Sequence, residues 1–564
     1  MRTMCGIAGV FGLTPSASSF ERLVDALAHR GPDAGGRYAD AVVTLIMHRL
    51  KFRGADCALP VREANAVSAF NGQIYGWRTT DGTYHRLQEG LTEELAVAVA
   101  QSVVDGMFAY ARYLPQDGRV ELATDAHFIK PLFVRCDVQS VAFASEMAPL
   151  LAALGPSLID MQALAELFAY GWYLSDQSCA ADVSLVWKHD FALGPGGVQR
   201  SPKRARLAPV PSRPSAAQLR AAIRTSVSRS VEGAGPLGLA LSGGLDSSIL
   251  AAELNALGIE GLVCVTVQLA ESGGDIASLA ELGLPAGGAW QSWKHVVVPV
   301  DDHDFLSGFE AATRMFGQPT SMSSLPLYQC LADAASQAGV RALLLGEGVD
   351  EYFAGYVSYA KVCALRSPLD YYRHPARERL VRRLFGAARL ERTQLRFAQM
   401  YGQMTDLRPV EAQLRLTRLL LRSDVCLMSR SIEGRVPFLY NDIPALALAL
   451  PWAELAAAPG KTALRAAYAD SLGERSMCAK VRFKSSDAML LRCLGMQRLE
   501  SRIVACCAGL FGRSAVLEAL AMLRTPEGFD ADILCLLMSL TFLIEGELLH
   551  DDIALTKSPG PLYA

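Results

Sequence analysis

The segment Ser242-Gly243-Gly244-Leu245-Asp246-Ser247-Ser248 decides the fold of this chain. It follows residues 236–241, an apolar run typical of a buried strand, and precedes residues 249–257, which have the composition of a helix. A turn between a strand and a helix exposes backbone N–H groups at the helix start and therefore binds anions. We predict a phosphate-binding loop at this position.

The residue types of this loop suit a nucleotide. Gly243 and Gly244 allow the backbone to approach phosphate oxygens closely. The hydroxyls of Ser242, Ser247 and Ser248 add donors, and Asp246 is suited to holding Mg²⁺ against pyrophosphate. We predict that all seven residues, Leu245 included, contact ATP or pyrophosphate. The lysine of the GxxxxGK[ST] pattern is missing, and the loop instead resembles the PP-loop of ATP pyrophosphatases, which implies adenylation.

Length and composition restrict the class of protein. A chain of 564 residues is too long for one hydrophobic core, so we expect two or more domains. The net charge of -3 argues against a nucleic-acid partner or a membrane-surface protein. The sequence lacks an apolar run of about 18 residues and a secretory signal at its start, so we expect a cytoplasmic protein without a membrane partner.

The chain changes character near residues 193–215, which are rich in Pro, Gly and Arg and read as a linker. Residues 1–150 before it contain short apolar runs that predict a strand-rich domain. These runs are at 42–46, 67–70, 120–123 and 140–144.

Strand and helix patterns alternate after the linker, and this alternation predicts a parallel sheet. A helical pattern covers residues 216–232, and the last 180 residues are almost entirely helical in pattern. The strand-like runs are at 237–241, 262–267, 295–300 and 341–345.

A second motif follows the run at 341–345. Residues 346–356 read GEGVDEYFAGY and resemble the GEGxDExFxGY segment of asparagine synthetases. The resemblance continues in the order of that family with RVPFL at 435–439, with Lys461 and Arg465 in GKTALR, and with Lys480 in KVRFK.

The N-terminal part resembles the class II glutamine amidotransferase domain that the asparagine synthetase family carries. The matching segments are CGIAG at 5–9, HRGPD at 29–33, NGQIY at 71–75, DGMFA at 105–109 and IKPL at 129–132. The resemblance therefore spans about residues 5–484. β-Lactam synthetases and lasso-peptide cyclases are the nearest functional relatives of the family.

The resemblance implies an α/β protein with two domains. Residues 1–205 are predicted to form an Ntn-type antiparallel β-sandwich flanked by helices, which is the glutaminase domain. Residues 206–564 are predicted to form a PP-loop domain with a parallel α/β sheet and a helical extension. A homodimer is an arrangement that the sequence leaves open.

Roles in the synthetase half also follow from the resemblance. Asp246 and Asp350 would hold Mg²⁺ on pyrophosphate, and Lys461 would add a fixed positive charge there. Val267 matches a position that contacts adenine, and Gly346 lies near the same nucleotide. ATP and Mg²⁺ are thus the implied cofactors.

Glu347 matches the glutamate that handles protons as ammonia attacks the acyl-adenylate. β-Lactam synthetases carry a tyrosine at that position. A carboxylate is the readier proton acceptor at neutral pH. Glu347 therefore favours amidation by ammonia over ring closure.

Cys5 matches the nucleophile of the glutaminase, which is an N-terminal cysteine whose α-amino group acts as the base. Residues 1–4 precede it here, so its nitrogen is an amide. Either translation begins at Met4 and the initiator is removed, or a leader is cut off after synthesis. We favour a start at Met4, because the small side chain of cysteine permits removal of methionine.

The remaining glutaminase residues are assigned by the same resemblance. Asn71 and the Gly72 N–H would form the oxyanion hole, and Arg49 would bind the α-carboxylate of glutamine. Gln73 and Glu93, or Glu94, would complete the glutamine site, although the family commonly has NGEIY and an aspartate at these two positions.

Two further departures concern other segments. Residues 125–128 read DAHF where the family often has DRxG. Tyr440 replaces the aspartate that often follows PFL, beside the presumed acceptor side of the cleft, and this puts aspartate in doubt as the acceptor.

Three functions follow from these residues. The first is a glutamine-hydrolysing amide synthetase, in which ammonia passes internally from Cys5 to an acyl-adenylate near Glu347; its partners are glutamine and a carboxylate acceptor. The second is an ATP-dependent cyclase with a relic glutaminase domain, favoured by residues 1–4 and Tyr440. The third is a non-catalytic ATP-binding regulator, against which the intact Asp246, Asp350, Glu347 and Lys461 argue.

Overall fold

A computed structural model gives the fold. It describes residues 2–12, 17–52, 59–79, 83–86, 103–136, 140–203, 213–269, 278–359, 368–478, 487–495 and 498–550. The predicted domain boundary at 205/206 lies outside these residues and stays a prediction.

Antiparallel strands dominate the N-terminal part. They are β1 (Arg2–Gly12), β2 (Ala34–Ala39), β3 (Val43–Lys51), β4 (Val61–Arg62), β5 (Val67–Arg78), β6 (Tyr84–Arg86), β7 (Val103–Leu114), β8 (Arg119–Thr124), β9 (Phe133–Cys136), β10 (Ser140–Ala144), β11 (Ser157–Leu158), β12 (Val183–Leu185), β13 (His189–Gly194) and β14 (Gly197–Pro202). All of them except β11 belong to one hydrogen-bonded sheet, with β12-β9-β10-β1-β5-β7-β8-β13-β14 as its longest path.

An apolar core lies inside this strand-rich part. Ile7 of β1, Leu45 of β3, Phe108 of β7 and Leu122 of β8 are among its fully or almost fully buried members. Strands β3 and β8 contribute alternate residues, because side chains along a strand point to opposite faces. The strands thus enclose a core in the manner of a sandwich.

Parallel strands form the second sheet. They are β15 (Leu237–Ala240), β16 (Val263–Leu269), β17 (Lys294–Val300), β18 (Ala342–Leu344) and β19 (Glu433–Arg435), and β20 (Leu549–His550) pairs separately with β11. The order is β17-β16-β15-β18-β19, and every neighbouring pair is parallel. The order reverses between β15 and β18, and ligands of such sheets bind at the carboxyl ends of strands at this switch point.

Helices flank the first sheet and surround the second. They are α1 (Ala17–Leu27), α2 (Met147–Leu154), α3 (Met161–Tyr170), α4 (Ala216–Val231), α5 (Leu245–Ala256), α6 (Asp302–Phe316), α7 (Leu325–Gln337), α8 (Val349–Tyr352), α9 (Pro368–Tyr372), α10 (Pro375–Phe385), α11 (Ala387–Tyr401), α12 (Arg408–Glu411), α13 (Thr417–Met428), α14 (Ile443–Leu448), α15 (Trp452–Ala456), α16 (Thr462–Leu472), α17 (Asp487–Gly495), α18 (Leu499–Phe511), α19 (Arg513–Leu523) and α20 (Ala531–Glu545). A π-helical turn, Ala412–Leu416, joins α12 to α13.

Several 3₁₀ turns add to the helical structure of the described residues. They include Ala28–Arg30, Leu279–Leu282, Ala289–Ser292, Pro437–Leu439 and Gly473–Met477. One buried cluster includes residues of α1, α2 and α3 together with most of the C-terminal helices, so the two sheets belong to one packed body. None of the described helices combines the length and apolar character that a membrane span requires.

The predicted fold class is confirmed: an antiparallel N-terminal part, a parallel sheet and a helical C-terminal part. Two local predictions are wrong. Helix α5 begins at Leu245 rather than at residue 249, because Gly244 already takes the N-cap position. The predicted linker is in part a strand, since Gly197–Pro202 pairs with β13; it lies at the sheet edge, where proline is tolerated.

Candidate active sites

Hydrogen bonds between a serine hydroxyl and the backbone stabilise the loop after β15. Gly243 has φ 79, a conformation that favours glycine, and Gly244 caps α5. The Ser247 hydroxyl donates to the Gly244 carbonyl at 3.1 Å and accepts from the Ser242 N–H at 3.3 Å. The first turn of α5 therefore faces a tight loop, as an anion site requires.

Asp246 in the first turn of α5 and Asp350 in α8 are joined by Lys461. The Lys461 Nζ atom lies 2.6 Å from each Asp246 carboxylate oxygen and 2.7 Å from Asp350 Oδ1. Burial of the ammonium opposes its charge, but the two carboxylates outweigh this effect and raise the pKa of Lys461. We call these residues the Lys461 triad.

Two glycines allow the triad to assemble. A Cβ atom on Gly355 would lie 2.0 Å from Asp350 Oδ1 and 2.1 Å from the Lys461 Cε atom. A Cβ atom on Gly346 would lie 2.9 Å from the Asp246 Cβ atom. The segment after β18 therefore packs directly against the triad, as neighbouring strands at a switch point permit.

The carboxylate of Glu347 lies in a polar cluster beside this segment. The Arg422 Nη2 atom donates to Glu347 Oε1 at 2.5 Å, the Ser423 hydroxyl donates at 3.3 Å, and the Tyr328 hydroxyl donates to the same oxygen. The Arg422 guanidinium also stacks 3.7 Å from the centre of the Tyr328 ring. Glu347 is thus held as an acceptor of hydrogen bonds with one cation beside it.

The carboxyl of the neighbouring Glu351 is buried, and its pKa is raised. Burial of its carboxyl and the nearby charge of Asp350 raise the pKa of Glu351 to about 7, although the Tyr356 hydroxyl donates to it at 2.6 Å. The side chain is 1% exposed.

Val267, the remaining predicted nucleotide contact, lies buried within β16 and pairs with Val298 of β17. A core position in a parallel strand accounts for this valine without a ligand. Its predicted contact with adenine stays a prediction.

The predicted glutaminase residues lie where β1, β3 and β5 meet. Asn71 and Gln73 are almost fully buried, and Arg49 is 3% exposed. The structure describes the backbone of Cys5 but not its side chain. The register pairs Cys5 with Arg49, Thr3 with Gly72 and Arg2 with Gln73.

Gly72 is constrained to be glycine. It has φ 130, and a Cβ atom there would lie 2.1 Å from the Met107 carbonyl oxygen. The Gln73 side-chain amide is buried and makes no hydrogen bond to any part of the chain that the structure describes. An unsatisfied buried amide suits recognition of a polar ligand. Glu93 and Glu94 lie outside the described residues, as does Lys480.

A buried charge cluster connects the two halves. Arg30 binds Glu146 at 2.6 Å and Asp424 at 2.7 Å, and Lys130 binds Asp424 at 2.8 Å. Asp125 positions Lys130, because its carboxylate accepts hydrogen bonds from four backbone N–H groups, that of Lys130 included. Asp424 follows Arg422 and Ser423 in α13, so one helix contacts both this cluster and Glu347.

Tyr440 is almost fully buried and packs against strands of the N-terminal half. Its ring lies 5.1 Å from that of Tyr75, and its hydroxyl contacts the Met107 sulfur at 3.1 Å. The 3₁₀ turn Pro437–Leu439 before it directs the side chain toward β5 and β7. The effect of Tyr440 on the choice of acceptor stays a prediction.

The sequence did not single out Tyr328, Arg422 or Ser423 as neighbours of Glu347. A signal was present for Arg422, since arginines at 415, 418 and 422 have the spacing of one helix face in an otherwise leucine-rich segment. Tyr328 carries no comparable signal, because its place depends on how α7 packs against α13.

Comparison with protein families matches both halves of the chain. The family described as asparagine synthase matches residues 218–490, and the glutamine amidotransferase domain matches residues 4–193. The chain belongs to the asparagine synthetase family.

Curated relatives match at moderate identity. Asparagine synthetase [glutamine-hydrolyzing] 1 of Bacillus subtilis is 25% identical over 64% of this chain and 60% of its own length. A putative asparagine synthetase [glutamine-hydrolyzing] of Mycobacterium bovis is 26% identical over 82% of this chain and 83% of its own. The chain thus spans less than two thirds of the first of these relatives.

A solved glutamine phosphoribosylpyrophosphate amidotransferase from B. subtilis is also similar, at 12% identity. The similarity covers 46% of this chain and 75% of that chain, with a TM-score of 0.25. A likeness at this level is too weak to bear on fold or function.

Proposed function

We propose that the protein is a glutamine-dependent and ATP-dependent amide synthetase. It adenylates a carboxylate, aspartate or a related biosynthetic acid, and transfers ammonia from glutamine, releasing AMP and pyrophosphate. The observation that carries this proposal is the Lys461 triad, which joins the loop after β15 to the segment after β18. The family membership of both halves supports it.

The synthetase residues have distinct tasks. The N–H groups and hydroxyls of residues 242–248 bind the phosphates, and the Lys461 ammonium offsets the negative charge that grows on pyrophosphate as the α–β bond breaks. Tyr328 and Arg422 hold the Glu347 carboxylate in one orientation. Glu347 then accepts a proton from the attacking nitrogen.

The residues present fit Mg²⁺. This ion is commonly bound in nucleotide sites by one or two carboxylates together with substrate phosphates, and Asp246 and Asp350 supply two. The Lys461 ammonium already lies between these carboxylates as a cation. When bound, Mg²⁺ would neutralise phosphate charge there.

In the glutaminase half, the Cys5 thiol would attack the glutamine carboxamide. The Asn71 side chain and the Gly72 N–H would stabilise the tetrahedral oxyanion, while Arg49 binds the α-carboxylate. The buried contacts between the halves would shield ammonia from water as it passes to the adenylate.

A cyclase with a vestigial glutaminase is the second candidate, and one observation favours it. Arg2 and Thr3 pair with Gln73 and Gly72, so the residues before Cys5 occupy the strand edge at the predicted oxyanion hole. A chain that keeps them has no free amine at Cys5.

The experiment compares a chain that begins at Cys5 with one that keeps residues 1–4. The trimmed chain should release glutamate from glutamine, and AMP and pyrophosphate should appear with an acceptor. In the trimmed chain, Cys5→Ala should abolish the use of glutamine and preserve ammonia-dependent amidation. Absence of glutamine hydrolysis by the trimmed chain, with turnover of an amine-bearing acid, would establish the cyclase instead.

A further inference from the structure

Residues 439–442, which follow β19 and its 3₁₀ turn, link the two halves of the molecule. Leu439 packs against Gly348, the residue after Glu347, so closely that a Cβ atom on Gly348 would lie 2.4 Å from Leu439 Cδ2. The next three residues contact strands β5 and β7 instead. One short segment therefore joins the surroundings of Glu347 to the strand that carries the predicted glutamine site.

Strand β5 has a bulge where these contacts fall. The pairing of β5 with β7 shifts by one residue between Ile74 and Gly76, so Tyr75 is the extra residue of the bulge. Residues 71–73, the predicted oxyanion hole and glutamine contact, lie just before it on the same strand. Bulges bend a strand and are common next to active sites, where they re-aim side chains. The bulge therefore affects how residues 71–73 are oriented.

Asn441 is bound to the β7 side of the bulge. Its backbone N–H donates to Asp105 Oδ1 at 2.8 Å, and Asp105 lies opposite Gly76. Its side chain accepts from Arg229 at 3.1 Å and donates to the Ala222 carbonyl at 3.0 Å, both in α4. Arg229 also binds Asp105 at 2.6 Å. Helix α4 thus fixes Asn441 and Asp105 against each other.

Tyr440 contacts the bulge itself. Its ring packs at an angle against the ring of Tyr75, with 5.1 Å between their centres. Its hydroxyl lies 3.1 Å from the sulfur of Met107, and Met107 pairs directly with Gln73. The side chain of Tyr440 therefore supports both strands at the level of the predicted glutamine contact.

The backbone of residues 441–442 lies in the left-handed region. Asn441 has φ 51 and Asp442 has φ 62. Asparagine and aspartate adopt this conformation more easily than other residues that carry a side chain. Arg78 of β5 holds the second of them through a hydrogen bond of 2.7 Å to Asp442. The left-handed turn thus directs the Asn441 N–H at Asp105 and depends on these residue types.

We propose that residues 440–442 are positioning residues of the glutaminase, which hold the bulge of β5 and thereby orient residues 71–73 toward glutamine. They act through β5 and β7 rather than on the substrate. Hydrolysis of glutamine then depends on contacts that the synthetase half supplies. The inference rests on the proposed function, because it takes residues 71–73 as part of the glutamine site.

Two substitutions of Asn441 test the proposal in the chain that begins at Cys5. Asn441→Val disfavours the left-handed conformation, because valine is branched at Cβ, and should draw the N–H away from Asp105. We expect kcat for glutamine hydrolysis to fall about ten- to a hundredfold with a smaller change in KM, since a misplacement of about 1 Å can cost about a hundredfold. Asn441→Gly adopts the same φ without strain and should retain most of the hydrolysis.

Glu547→Val is the matched control. Glu547 has φ 55 and is exposed after the end of α20, so valine there meets the same backbone strain outside β5 and β7. It should leave glutamine hydrolysis unchanged. Binding of ATP with Mg²⁺, measured by calorimetry, should be equal in all three variants and the unaltered chain.

Several results would overturn the inference and leave the proposed function standing. They are an unchanged kcat in Asn441→Val, an equal fall in Asn441→Gly, and an equal fall in Glu547→Val. A parallel loss of ATP binding in Asn441→Val would also count against it, because the substitution would then disturb the whole protein.

Hydrogen exchange of backbone amides in residues 71–78, followed by mass spectrometry, decides the case in which the unaltered trimmed chain does not hydrolyse glutamine. Faster exchange in Asn441→Val than in Glu547→Val would uphold the positioning of β5 and count against the proposed function. Unchanged exchange would overturn the inference as well. Arg78→Met, which removes the partner of Asp442, takes the place of Asn441→Val in both measurements if that protein is insoluble.

Discussion

Arg30 and Asp424 are 394 residues apart in the sequence, and they form a buried ion pair of 2.7 Å. Glu146 and Lys130 complete the cluster, which therefore has two cations and two anions between the two halves of the molecule. Burial alone would raise the pKa of Asp424, but the charges of Arg30 and Lys130 outweigh it and lower this pKa.

Asp424→Asn should destabilise the protein strongly. It leaves two buried cations with a single carboxylate, and breaking a buried pair in this way costs about 3–5 kcal/mol. Urea unfolding of both proteins measures the loss. Asp333→Asn is the control, because Asp333 pairs with Arg430 near the surface and should cost less than about 1 kcal/mol. Equal losses in the two variants would contradict the role given to the cluster.

Gly355→Ala should disrupt the Lys461 triad. The added methyl group would lie within 2.1 Å of both Asp350 Oδ1 and Lys461 Cε, so one of them must move. We expect ATP–pyrophosphate exchange to fall about a hundredfold, comparable with the loss of one stabilising donor at a reacting centre. Gly196→Ala adds a methyl group where nothing lies within 4 Å, and exchange should remain normal. A Gly355→Ala protein with full exchange would remove the triad from the mechanism.

Glu347→Gln should separate the two half-reactions. The amide keeps an oxygen that can accept from Tyr328 and Arg422, but it cannot take a proton from the attacking nitrogen. Amide formation should fall about 10²- to 10⁴-fold, the usual contribution of a general base. Pyrophosphate exchange, which precedes that attack, should persist. Parallel loss of both activities would instead assign Glu347 to adenylation.

Glu351 should make stability depend on pH. Its pKa of about 7 in the folded protein exceeds the value of about 4.3 expected in the unfolded chain. The folded state therefore binds the extra proton between these values, and stability falls as the pH rises from about 4.3 to about 7. Glu351→Gln lacks this contribution. The free energy of unfolding of the variant minus that of the unaltered protein should therefore be larger at pH 8 than at pH 5. An identical difference at the two pH values would refute the assignment.

Local patterns predicted much of the fold. The run at 140–144 is strand β10, and the run at 237–241 differs from β15 by a single residue. These segments are apolar and bounded by turn residues, so their structure depends mainly on the nearby sequence. The start of α5 was missed because Gly244 serves as a cap without a side chain to signal it.

The site was less predictable where it depends on packing. Asp246, Asp350 and Lys461 meet because two strands and α16 converge, and the motifs pointed to all three. The motif around Tyr440 gave no direction for its side chain, which faces Tyr75. The partners of Glu347 come from α7 and α13, and no local sequence rule relates these helices to the segment after β18.

The ammonium of Lys461 already neutralises half of the charge of Asp246 and Asp350. Two carboxylates and one ammonium leave a single net negative charge, which is a weak attraction for a free divalent ion. If Mg²⁺ binds there as proposed, it would enter together with the nucleotide, as its ATP complex, rather than before it. The order in which the metal and the nucleotide bind would then depend on Lys461, whose ammonium already lies between the two carboxylates.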